Sequence, residues 1–187
     1  MTETIVHLDL IAIASAAAPG ARWELSDAAG GLLALPGVLG GGAIEGEAGS
    51  DFDLALYYAL ADYAALEPFG TDPRYARFLQ GSVAPLLGTF AGADVRLEGA
   101  LPPPSAYAAC LTLAAGAETY DWEVRRRLAD WASDRGASAA AIGLAAGDRQ
   151  RYRGLALVFA DAAIKGGRPA PDGFEIAWIA GRARSLS

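Results

Sequence analysis

Three consecutive prolines, Pro102-Pro103-Pro104, stand just past the middle of a chain of 187 residues. No helix or central strand continues through such a run, because each proline lacks a backbone donor and favours an extended spacer. The chain is therefore read as two halves joined near Leu101 to Ser105. Charge changes at the same place: residues 1 to 100 hold 13 acids and 4 bases, whereas 101 to 187 hold 9 acids and 11 bases. The expected division is 1–101 and 105–187.

Periodicity assigns elements to each half. Val6, Leu8, Leu10 and Ala12 alternate with His7, Asp9, Ile11 and Ile13, which predicts a strand over Ile5 to Ala14. Trp23, Leu25, Ala28, Ala29, Leu32 and Leu33 recur at helical intervals until Pro36-Gly37 stops them. Val38 to Glu47 and Phe52 to Leu60 read as a hairpin turning at Gly49-Ser50-Asp51. Asp72-Pro73 then opens a helix carrying Tyr75, Phe78, Leu79 and Val83, bent at its end by Pro85. Ala93 to Leu97 supplies a short last strand. This order, β-α-β-β-α-β, is the ferredoxin-like motif.

The second half repeats it. Strands are expected at Ala106 to Ala114, Arg153 to Ala160 and Phe174 to Ala180, with a helix over Tyr120 to Arg135 that presents Val124, Leu128 and Trp131 on one face. Ser138 to Ala146 reads as strand or helix, since alanine favours helix while Ile142 and Leu144 alternate, and is assigned a strand because the first half has one there. The second helix shrinks to Asp161 to Lys165 or is lost, broken by Gly166, Gly167, Pro169 and Pro171. The fold class expected is α+β, two tandem ferredoxin-like halves forming an α/β barrel as an internal pseudo-dimer.

Composition removes several classes of function. A single histidine and a single cysteine cannot assemble a zinc site, and Cys110 reads as a small buried hydrophobe. A net charge of −7 and the lack of a long basic run argue against nucleic acid. The uncharged stretches Ala28 to Ile44 and Gly99 to Ala117 are broken by glycine and proline, so no membrane partner is expected. The N-terminal segment lacks the basic start of a leader, which points to a cytoplasmic protein. Gly40-Gly41-Gly42 lacks the helix and lysine of a phosphate loop. No cofactor is expected, and the carboxylates Glu45, Glu47, Asp51 and Asp53 match no calcium loop and read as solvated edge charges. Arg149 to Arg153 reads as a solvated hairpin tip.

Several motifs of the first half belong together: His7 before an apolar strand, Leu35-Pro36-Gly37-Val38, Asp53-Leu54-Ala55-Leu56-Tyr57, Asp72-Pro73-Arg74-Tyr75, and Val83-Ala84-Pro85-Leu86. Over about residues 3 to 98 this pattern resembles the stress-responsive dimeric α/β barrel, or Dabb, family. The resemblance implies two ferredoxin-like units laying their sheets together, as a homodimer or, here, within one chain. It also raises the possibility of catalysis, since the family includes a cofactor-free plant cyclase in which a tyrosine before the helix and a histidine within it are implied to act as acid and base. Here Phe69 falls at the tyrosine position and the His-Pro-x-His pattern is Asp72-Pro73-Arg74-Tyr75. That mechanism loses both of its groups.

Two readings of function follow. In one, the chain binds a small apolar or aromatic ligand in a first-half pocket lined by Tyr57, Phe69 and Phe78 and closed by Trp23, which are aromatic residues with core periodicity. In the other, it is a cofactor-independent cyclase or monooxygenase. There His7, with Asp9 on the same strand face, serves as general base, assisted by Tyr75. The alternative for His7 is a hydrogen bond at a fraying sheet edge.

Overall fold

The structure is a computed structural model that describes residues 3–17, 20–97, 99–114, 119–147, 151–169 and 174–186. Eight strands form one closed antiparallel barrel: β1 (Thr4–Ile13), β2 (Val38–Gly46), β3 (Leu54–Leu60), β4 (Leu87–Leu97), β5 (Tyr107–Ala114), β6 (Ala139–Ala145), β7 (Gly154–Ala160) and β8 (Glu175–Ser185). Around the ring the order is β1-β3-β2-β8-β5-β7-β6-β4. Each half thus contributes a four-stranded sheet in which its fourth, first, third and second strands lie side by side. Two seams join the sheets, Gly42–Gly46 of β2 against Gly181–Ser185 of β8, and Val95–Leu97 of β4 against Gly143–Ala145 of β6. The second strand of either half meets the fourth of the other, so the halves are related as two subunits of a symmetric dimer would be.

Alternation along the strands sorts side chains to two sides of the wall. Val6, Leu8, Leu10 and Tyr57 of the first half meet Cys110, Leu157, Phe159 and Ile179 of the second inside the barrel, with Tyr57 and Phe159 at 6.2 Å between ring centroids. Burial raises the Cys110 thiol pKa, as expected of a packed, unreactive side chain. Outside, the first sheet is covered by α1 (Ala21–Gly30), α2 (Leu66–Thr71) and α3 (Pro73–Phe78), and the second by α4 (Asp121–Ser133). Both seams require glycine. A Cβ on Gly181 would stand 1.8 Å from the Glu45 carbonyl oxygen, and one on Gly143 would stand 2.8 Å from that of Arg96.

Some expectations need correction. The fourth strand begins at Leu87, not Ala93: Leu87 to Phe90 pair with the end of β1 but are all exposed, leaving no alternation to read. Leu66–Thr71 forms a helix despite Pro68 and Gly70. Between β7 and β8 no helix occurs among the described residues, which is the loss expected there and needs no correction. Asp51 and Asp53 of the β2–β3 hairpin are not merely solvated edge charges: β2 pairs on both sides, Asp51 binds Arg168 at 2.9 Å and the Trp178 amide at 3.0 Å, and Asp53 binds Arg22 at 2.7 Å and the Ile13 amide at 2.8 Å. Arg151 pairs with Glu175 and Arg153 with Asp121, while Arg149 and Gln150 lie outside the described residues. No helix among the described residues is long and apolar enough to cross a membrane.

Candidate functional site

His7 is not at a fraying edge. Strand β1 lies between β3 and β4, and His7 pairs with Tyr58 on one side and Asp94 on the other. Val6 and Leu8 point into the barrel, so His7 and Asp9 point out, beneath α2 and α3. Helix α3 is started locally. The Asp72 carboxylate accepts from the Arg74 amide at 2.8 Å, and Pro73 occupies the first helical position. Hydrogen bonds from Arg74 also hold the Asp72 carboxyl below its usual range. One turn on, Tyr75 comes down onto the sheet.

Four polar side chains meet there. His7 Nδ1 is 2.6 Å from Asp94 Oδ1, and His7 Nε2 is 2.9 Å from the Tyr75 hydroxyl and 3.2 Å from Asp9 Oδ1. The Tyr75 hydroxyl donates to Asp9 Oδ1 at 2.9 Å. Having spent its one proton on Asp9, that hydroxyl can only accept from His7, so Nε2 carries a proton. Nδ1 carries one as well, facing a carboxylate. The geometry is that of an imidazolium. Burial pulls the His7 pKa down, but the charges and hydrogen bonds of Asp9 and Asp94 outweigh it and push the pKa up to about 10. Phe69 packs tilted against the ring at 5.0 Å between centroids and Tyr58 at 6.3 Å. Burial, followed by the charge of Asp9, raises the Tyr75 and Tyr58 pKa values.

The site thus brings together three residues expected from sequence, His7, Asp9 and Tyr75, and one that was not, Asp94. In this state His7 has no lone pair with which to take a proton, and Tyr75 is a weaker acid than a free phenol. Asp9 Oδ2 is buried without a hydrogen-bond partner among the described residues.

The four residues expected to line one pocket are not brought together. Neighbouring positions on a strand face opposite sides, so Tyr57 lies inside the barrel while Phe69 and Phe78 pack on its outside. Trp23 is 57% exposed, on a groove with Arg22, Glu45 and Asp53. Tyr57 does line a space of its own, an apolar crevice of about 240 Å³ at one end of the barrel, bounded by Leu39, Ala59 and the strap Leu101–Pro104. Its hydroxyl is buried and has no hydrogen-bond partner among the described residues.

One solved structure agrees with the fold over the whole chain. An anthrone oxidase-like protein superposes over 100% of this chain and 94% of its own, with a TM-score of 0.66 and 8% identity. A Dabb family protein with a ferredoxin-like fold from Mesorhizobium loti covers 54% of this chain and 98% of its own, with a TM-score of 0.43 and 19% identity. A dimeric ferredoxin-like protein of unknown function from Thermobifida fusca covers 50% of this chain and 90% of its own, with a TM-score of 0.44 and 18% identity. No family model and no curated protein matches the chain. The architecture is a ferredoxin-like α/β barrel built within one chain.

Proposed function

We propose that this chain is a small-ligand-binding α/β barrel of the stress-responsive kind, made of halves 1–101 and 105–187. In this reading the ligand enters the crevice beside Tyr57 and the His7 cluster serves the fold. The observation that carries the reading is Tyr57, whose side chain is 1% exposed and lines an otherwise apolar space, and whose buried hydroxyl lacks a partner among the described residues. Binding sites of this type combine an apolar lining with one or two polar groups that orient the ligand. A buried hydroxyl without a partner is costly, and a ligand hydroxyl would relieve that cost. The crevice suits a single ring.

The test uses p-cresol as probe, followed by amide NMR. Shifts are expected at Gly40, Gly41, Ala59 and Leu101, and Tyr57→Phe should weaken binding roughly three- to tenfold, the range of one neutral hydrogen bond. Shifts elsewhere, or full affinity in Tyr57→Phe, would reject the crevice.

The second reading, a cofactor-independent cyclase or monooxygenase with His7 as general base, is favoured by the convergence of His7, Asp9, Tyr75 and Asp94. It requires His7 to be free of its proton at working pH, since a general base must present a lone pair. The two carboxylates oppose that. Because His7 is the only histidine, its ring signals report the matter directly. A midpoint near the ordinary value of about 6.5 would restore the enzyme reading.

A further inference from the structure

Among the described residues, the outer face of the second sheet carries one α-helix where the first carries three. In the first half Phe69, Tyr75 and Phe78, from α2 and α3, close over the strands. In the second half residues 161–169 form no helix, and a cleft of about 460 Å³ opens between α4 and the sheet. Its floor is apolar, built from Leu111, Leu113, Phe174, Ile176 and the ring of Trp131. Its rim is charged, with Arg126, Arg127 and Arg135 against Asp130 and Asp134, so cations outnumber anions, and the Arg127 guanidinium lies over one face of the Phe174 ring at 4.8 Å from its centroid. Arg126 pairs with Asp130 at 3.5 Å.

Two N–H groups at this cleft are buried without acceptors among the described residues. Trp131 is 7% exposed, and its Nε1 has no hydrogen-bond partner. Arg135 directs Nη1 to the carbonyls of Lys165 and Gly167, each at 3.1 Å, while its Nε has no acceptor. The Arg135 guanidinium lies 5.2 Å from the Trp131 ring centroid and 5.6 Å from that of Trp178. This places the guanidinium over the indole ring, with both residues on the wall of the same cleft. The aromatic floor would accept a flat apolar body, and orphaned donors beside a guanidinium call for a charged acceptor.

We propose that this cleft is a binding site for a small aromatic carboxylate, with its ring on the Trp131 and Phe174 floor and its carboxylate on the Trp131 indole N–H and the Arg135 guanidinium. The site is independent of the crevice at Tyr57. Its volume falls in the range of ordinary small-molecule pockets.

Naphthoate and its neutral counterpart naphthylmethanol test the proposal, with the indole N–H signals of the four tryptophans as the readout. Naphthoate should move the Trp131 signal and saturate, and naphthylmethanol should bind at least about tenfold more weakly. Trp131→Phe keeps the aromatic body and removes the donor, so it should weaken naphthoate about tenfold, the scale of a hydrogen bond to a charged group. Arg135→Gln should do the same, and Trp131→Phe guards against loosening of the loop that Arg135 holds. Tyr57→Phe should leave naphthoate binding unchanged, which separates this site from the crevice. Equal affinity for the two probes, no saturation in millimolar naphthoate, or full affinity in Trp131→Phe would overturn the assignment.

Discussion

Replacing His7 by glutamine removes a buried positive charge from between two carboxylates, and its effect should depend on pH in a defined direction. The His7 pKa rises on folding from 6.5 to about 10, so the folded state binds the proton more tightly. The stabilisation is then complete below 6.5, declines as pH rises, and is gone once pH has passed about 10. The gap between those values corresponds to on the order of 5 kcal/mol. That is close to the roughly 3–5 kcal/mol cost of stripping one partner from a buried ion pair. In the His7→Gln variant Asp9, which is fully buried, would face Asp94 without compensation. For a chain of this size the melting temperature should fall by roughly 6–20 °C at neutral pH. The assay is urea unfolding of wild type and His7→Gln at about pH 7 and about pH 10.5, on either side of the folded-state pKa. Comparing the two proteins at each pH cancels the titration of other groups. The gap should be several kcal/mol at the lower pH and below about 1 kcal/mol at the higher one. An equal gap at both values would refute the imidazolium and leave His7 as an ordinary packed side chain.

Asp94→Asn keeps an acceptor for Nδ1 but removes its charge, so the His7 pKa should fall toward its ordinary value; a ring titration by NMR that does not move would contradict this. Gly181→Ala puts a methyl group against the Glu45 carbonyl at the β2–β8 seam and should cost about 1–3 kcal/mol or more, read as a lower urea midpoint. An unchanged midpoint would show that the seam has slack. Arg168→Ala breaks an exposed ion pair with Asp51 and should cost less than about 1 kcal/mol, shrinking further in high salt. A larger loss would mean that the charge split between the halves helps to hold the barrel closed.

The element order was readable because both periods were strong where burial is one-sided. Val6, Leu8 and Leu10 announce a strand, and Val124, Leu128 and Trp131 announce a helix, whatever they pack against. Where burial was weak the reading stopped short, as at Leu87 to Phe90. The site was legible only within local reach: His7 and Asp9 share a strand face by parity, and Asp72-Pro73 positions Tyr75 by capping. Asp94 pairs with His7 across 87 positions of sequence, and only strand register brings them together. Its one local signal was a lone acid between the inward-facing Ala93 and Val95. Tyr57 and Phe69 share a residue type and a core period, yet strand parity sends Tyr57 to the other side of the wall, so type alone does not place them in one pocket.

The two seams have a consequence for how such a barrel can change. A barrel assembled from two identical subunits receives every substitution twice, at positions related by its axis, so what suits one side must be tolerated on the other. Here each position occurs once. A charged cluster under α3 in one half can coexist with an open aromatic cleft over the opposite sheet. Because β2 and β4 find their partners on the same chain, the closure that preserves this asymmetry is also independent of protein concentration.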